Sequence, residues 1–174
     1  MSTYLITGPS GSGKTTIAEY LTSLGYQCVE TDSTPGLSYY VNKNNKPVPY
    51  PAQADETWWE THNYVWELNR LRKLIRSLPD SPKPVFVCGN AGNIKDAWSM
   101  FTKVFYLDIP EELMLSRIGS ASNTQAVGDH AEEVTTLVRW RQPFKEEMLE
   151  LGATSVDASK PVKQVADQII KLAK

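Results

Sequence analysis

Several things are scarce in this sequence, and each scarcity closes a route. Only two of the 174 residues are cysteine, Cys28 and Cys88, far apart and inside apolar runs, so neither a disulfide framework nor a thiolate metal site is expected. Two histidines, His62 and His130, add nothing to a zinc reading. No apolar run approaches the roughly 20 residues that cross a bilayer, and Met1 to Ser12 lack a basic segment followed by an apolar one. A membrane partner and export are therefore not expected, and a cytoplasmic location is. A surplus of positive charge is also lacking: 18 Lys and Arg stand against 20 Asp and Glu, for a net charge of -2 without basic clusters. A chain that grips a long phosphate backbone carries the opposite balance, so small molecules are expected as partners rather than nucleic acid.

Enough remains to build a sizeable core. Hydrophobic side chains make up 41% of the chain and are spread evenly, which suits one domain over residues 1–174. Strand-length apolar runs at residues 3–7, 26–31, 84–89, 103–108 and 154–157 are too continuously apolar to have one wet face, the pattern of parallel strands covered on both sides. Between them Ile17, Tyr20, Leu21 and Leu24 keep helical spacing up to Gly25, and Val162, Val165, Ala166, Ile169, Ile170 and Ala173 do so near the C-terminus. Strands alternating with helices give the α/β class, here with a five-stranded parallel sheet. Residues 32–55 and 119–130 are irregular and longer than ordinary connections, as binding loops and lids are.

One stretch carries chemistry on its face. Gly8-Pro9-Ser10-Gly11-Ser12-Gly13-Lys14-Thr15 satisfies G-x-x-x-x-G-K-[ST], after a predicted strand and before a predicted amphipathic helix. Glycines let the backbone curl so that N–H groups point inward at phosphate oxygens, and the helix N-terminus adds partial positive charge. Gly8, Ser10, Gly11, Ser12, Gly13, Lys14, Thr15 and Thr16 are accordingly the candidate phosphate cradle. Lys14 is expected on the β and γ phosphates of ATP, and Thr15 on a Mg²⁺ ion that bridges them. A guanine-reading motif is missing: Asn42-Lys43-Asn44-Asn45 lacks the Asp. The third strand ends in Gly89-Asn90 rather than in the acids of a large ATPase.

Taken with that loop, Thr31-Asp32 after the second strand, Cys88-Gly89-Asn90 closing the third, Arg117 late in the helix after the fourth, and Val156-Asp157-Ala158-Ser159-Lys160-Pro161 before the last helix, the chain resembles the small P-loop kinases. Shikimate kinase and the nucleoside and nucleotide kinases belong to that group. The resemblance implies a P-loop NTPase fold with a lid near residues 119–130, and transfer of the ATP γ-phosphate, with Mg²⁺, to a hydroxyl or phosphate of a small acceptor. It makes Asp32 a base for the acceptor or a holder of Mg²⁺-bound water, with Gly89 and Asn90 beside it. It makes Arg117 a nucleotide-side arginine, next to Asp157 and Ala158. Residues 119–130 hold no arginine, so Arg139 and Arg141 beyond them are candidate substitutes for a lid arginine. The pattern that holds the shikimate carboxylate is not recognisable.

Residues 55–78 are expected to form one long helix with two faces. At about 100° per residue, Tyr64, Leu68, Leu71, Ile75 and Leu78 gather on the core side, while Trp58, Trp59, His62 and Trp66 gather opposite, as an acceptor-pocket wall or as packing under the preceding loop. Two other function classes remain in view: an ATP-binding regulatory module without an acceptor, and a kinase of nucleic-acid 5′ ends.

Overall fold

The computed structural model describes residues 2–52, 54–120 and 131–173. In chain order the elements are β1 (Thr3–Thr7), α1 (Lys14–Ser23), β2 (Gln27–Glu30), β3 (Ser38–Asn42), β4 (Pro47–Val48), α2 (Glu56–Thr61), β5 (His62–Trp66), α3 (Leu68–Ser77), β6 (Val85–Cys88), α4 (Ile94–Ala97), β7 (Lys103–Asp108), α5 (Glu111–Ser120), α6 (Ala131–Glu150), β8 (Thr154–Asp157) and α7 (Val162–Leu172). The five runs expected as strands are all strands. They form one parallel sheet in the order β2-β6-β1-β7-β8.

Both faces of that sheet are covered, as the continuous apolar runs require. Tyr4, Ile6, Phe86, Phe105 and Leu107 point to one side, where Ile17 and Leu21 of α1, Met114 of α5, and Val165 and Ile169 of α7 cover them. Leu5, Val85, Val87, Val104 and Tyr106 point to the other, against Leu71 of α3, Ile94 and Ala97 of α4 and Met148 of α6. Alternate residues of each strand thus feed two cores.

Residues 32–78 depart from the expected loop and single long helix. β3, β4 and β5 make a second, antiparallel sheet in the order β4-β3-β5, with Tyr40 opposite Tyr64 and Ser38 opposite Trp66. The expected helix is broken into α2, β5 and α3 because His62-Asn63-Tyr64-Val65-Trp66 is rich in β-formers and finds β3 to pair with. Asp55 starts α2 by accepting from the Trp58 N–H at 2.7 Å, and Glu67 starts α3 by accepting from the N–H groups of Asn69 and Arg70.

The small sheet is fastened to the large one just past β6. The Gly92 N–H donates to the Tyr64 carbonyl at 2.7 Å, and the Asn93 side chain both accepts from the Trp66 N–H at 2.9 Å and donates to the Trp66 carbonyl at 3.0 Å. Gly119 and Ser120 still belong to α5; the remainder of the expected lid, with His130, lies outside the described residues.

Candidate functional site

The glycine-rich loop closes β1, the central strand, and opens α1. Gly11 (φ 75°) and Gly13 (φ 93°) hold left-handed backbone that other residues resist. A Cβ on Gly11 would also sit 2.9 Å from the Met114 carbonyl oxygen of α5, so glycine is required twice over. Lys14 curls back over the loop, its Nζ donating to the carbonyls of Gly8 and Pro9 at 2.9 Å each. Burial lowers its pKa from the ordinary value, and the Asp32 carboxylate works in the other direction. Ser12 is buried, and its hydroxyl finds no partner among the described residues. A buried hydroxyl left over in a loop of inward N–H groups fits a phosphate oxygen.

Arg117 reaches from the last turn of α5 to two parts of this rim. Its guanidinium donates to the Gly11 carbonyl at 3.5 Å and to the Ala158 carbonyl at 3.2 Å. Ala158 is itself set by its N–H on the Asp108 carbonyl, 2.8 Å away. Asp157 is turned to its own loop, accepting from the Ser159 N–H and hydroxyl, which with Lys160 hold its carboxyl below the usual range. The structure therefore joins the glycine-rich loop, Arg117 and Ala158 into one edge.

Across Thr15 stands a pair of carboxylates, of which sequence reasoning found one. Glu30 ends β2 and Asp32 follows it by two residues. Burial raises the Glu30 carboxyl, while the nearby Thr15 hydroxyl pulls the other way. Its signal was available, an acid at a strand end two places before Asp32, but the family resemblance and the exit from the strand drew the reading to Asp32 alone. Thr15, Glu30 and Asp32 offer hard oxygen donors of the kind Mg²⁺ takes together with waters and phosphate. Asp32 is exposed, and its Oδ1 accepts from the Thr31 hydroxyl at 3.2 Å and from the Tyr64 hydroxyl at 3.0 Å. Gly89 closes β6 directly against Thr31, and Asn90 follows it half-buried.

The aromatic side chains divide differently from the expected helix face. Trp58, Trp59 and His62 do come together, with Trp58 at right angles to Trp59 (5.1 Å between ring centroids) and stacked on His62 at 4.6 Å. Tyr40 and Tyr50 complete the group, Tyr40 lying 4.9 Å from Trp58 and 4.9 Å from Tyr64. Trp66 is not part of it. With 2% of its surface exposed, it packs among Leu37, Leu71 and Val87, because β5 carries it past the cluster and under the main sheet. Tyr64, expected on the core side, changes places with it and faces Asp32. The hydroxyls of Tyr40, Tyr50 and Tyr64 are all pushed well up, by burial first and then by Glu133 or Asp32 nearby, so they remain donors. Glu133 on α6, which the sequence did not single out, is buried and accepts from Tyr50.

Neither later arginine stands open toward this cluster. Arg139 pairs with Glu56 of α2 on the surface. Arg141 donates to the Ile109 carbonyl at 3.1 Å and lies 3.6 Å from Glu111, at the turn between β7 and α5. No helix among the described residues is long and apolar enough to cross a membrane.

A parallel sheet in this order, with a glycine-rich phosphate loop on its central strand and a small module over the sheet's carboxyl edge, defines the fold of the small P-loop kinases. The family described as AAA domain (AAA_18) matches residues 5–137, and the chain belongs to it. Among solved structures it is similar to a deoxyadenosine kinase from M. mycoides with bound dATP, at 18% identity over 100% of both chains with a TM-score of 0.62. It is similar to a gluconokinase from Sinorhizobium meliloti 1021 at 17% identity, over 99% of this chain and 91% of that one, with a TM-score of 0.56. A shikimate kinase from Acinetobacter baumannii in complex with shikimate gives 21% identity, 98% and 91% coverage, and a TM-score of 0.54. At these identities the likeness is one of fold. No curated protein sequence matches the chain.

Proposed function

We propose that the chain is an ATP-dependent kinase of a small molecule and works as a single unit over its length. The observation that carries this reading is the meeting of Lys14, Thr15 and Asp32 at one edge, with an aromatic wall joined to Asp32 through Tyr64. Fold likeness to kinases of a nucleoside, a sugar acid and shikimate supports the class.

In this reading the loop N–H groups and the Ser12 hydroxyl hold the ATP phosphates, and Lys14 leaves the carbonyls of Gly8 and Pro9 to meet the β and γ oxygens. Arg117 and the turn at Asp157 and Ala158 border the nucleotide's other end. Thr15 would hold Mg²⁺, with Glu30 and Asp32 reaching it through water; when bound, the ion neutralises charge on the phosphates. Asp32 takes the proton of the acceptor hydroxyl while that oxygen bonds to the γ phosphorus and the bond from phosphorus to the bridging oxygen breaks, leaving ADP. Trp58, Trp59, Tyr40 and Tyr50 give a ring-bearing acceptor a face to stack on, with His62 behind Trp58.

The test is transfer of labelled γ-phosphate from ATP to a panel of nucleosides, sugars and small hydroxy acids. Lys14→Ala is expected to lower transfer at least about a hundredfold, the scale of losing one contact to transition-state charge. Near-normal transfer in that variant would overturn the assignment.

A further inference from the structure

Both hydrogen bonds to Asp32 fall on the same oxygen. Thr31 and Tyr64 donate to Oδ1, while no described residue donates to Oδ2. A carboxylate held by one oxygen keeps the other aimed and available, which is the state a general base needs before its substrate arrives.

Tyr64 is built to hold that position. Its backbone carbonyl is tied to the Gly92 N–H at 2.7 Å, in the turn that follows β6. Its ring lies 4.9 Å from Tyr40, its partner across the strand pair, so the residue is held at its backbone and at its ring. Two residues on, Trp66 is buried in the core, and Asn93 clasps it by both backbone groups. Nothing in an ordinary surface strand requires a tyrosine hydroxyl at a carboxylate in the turn beyond another sheet's strand.

We propose that Tyr64 is a positioning residue of the transfer reaction: its hydroxyl fixes Asp32 Oδ1 so that Oδ2 faces the acceptor hydroxyl. The small sheet that carries the aromatic wall thereby also sets the base, and one element aligns both partners of the proton transfer. The inference rests on the base role proposed for Asp32.

Tyr64→Phe removes the hydroxyl and keeps the ring that packs on Tyr40. Hydrolysis of Mg·ATP with water as acceptor gives a rate without an identified substrate. In Tyr64→Phe that rate is expected to fall about tenfold with ATP affinity unchanged, the signature of a group that acts on the chemical step. Asp32→Asn should lower it at least as far, and the double variant should lose nothing more, because both changes act through one carboxylate. The ¹³C carboxyl signal of Asp32 should move in Tyr64→Phe and stay in place in Tyr39→Phe, whose residue sits on the other side of β3. Losses that add in the double variant, or an Asp32 signal that ignores Tyr64→Phe, overturn the proposal. Equal rates in wild type and Asp32→Asn overturn the base role itself, and the carboxyl signal distinguishes that failure from the absence of the Tyr64 contact.

Discussion

Thr31 and Gly89 meet where β2 and β6 end, one residue before Asp32. Thr31 is fully buried, and a Cβ added to Gly89 would lie 1.8 Å from its hydroxyl oxygen and 3.0 Å from its own Cβ. The glycine is needed for close approach of the two strand ends, and its backbone is otherwise ordinary. Gly89→Ala must push Thr31 aside, and Thr31 cannot shift without carrying Asp32 Oδ1, to which it donates. Overpacking of this kind costs about 1–3 kcal/mol. The expected outcome is a lower urea midpoint with an unchanged slope, together with a loss of turnover larger than the loss of folded protein. Thr31→Ala in the same chain removes the clashing oxygen and should recover part of the stability. A Gly89→Ala protein as stable as wild type would show that the strand ends have room between them.

At the scale of elements, the main sheet could be read from sequence because buried parallel strands carry a plain signal. The runs at residues 3–7, 103–108 and 154–157 are β1, β7 and β8 to the residue, and those at 26–31 and 84–89 overrun β2 and β6 by one residue at each end. The glycine-rich loop between β1 and α1 was legible for the same reason: its glycine spacing dictates a tight turn from a strand into a helix. The small sheet was not. Leu68, Leu71 and Ile75 do form a helical face, and Tyr64 falls in register with it by accident of spacing, so a strand of five residues was absorbed into a helix. The break is marked by Glu67, a weak cap by type, which nonetheless accepts from Asn69 and Arg70 N–H groups. That misreading moved Trp66 to the pocket and Tyr64 to the core, the reverse of their places. Asn93, beside the Gly92 N–H that meets the Tyr64 carbonyl, holds β5 against the main sheet by serving the Trp66 N–H and carbonyl together. Asn93→Ala leaves two backbone groups of a buried residue without partners, and unpaired buried groups cost about 1–3 kcal/mol each. Chemical denaturation should show a loss in that range, and quenching by acrylamide should find Trp66 more accessible. A fluorescence and stability profile matching wild type would mean that other contacts hold the strand.

For the whole molecule, the two sheets differ in how firmly they are held. β1 is buried at every position and hydrogen-bonded on both sides, whereas β3 and β5 are mostly half-buried and β4 is a two-residue edge. Strands with few buried contacts open locally, below the free energy of global unfolding, while central strands exchange their amides only when the whole chain unfolds. Amide exchange should therefore be slowest in β1, β6 and β7 and measurably faster in β3 and β5. A non-hydrolysable ATP analogue at about a hundred times its Kd adds about 2.7 kcal/mol to the folded state, or roughly 5–10 °C in Tm for a chain of this size. The gain should reach β1 and α1 in full, since they unfold only globally and flank the glycine-rich loop proposed to hold the phosphates. β3 and β5 should gain little from the nucleotide, because their local opening leaves the glycine-rich loop intact; their protection should rise when an acceptor stacks on Trp58 and Tyr40. Equal protection of both sheets by the nucleotide alone would show that the small sheet opens only with the main one, and that base and phosphate loop are a single rigid body before the acceptor binds.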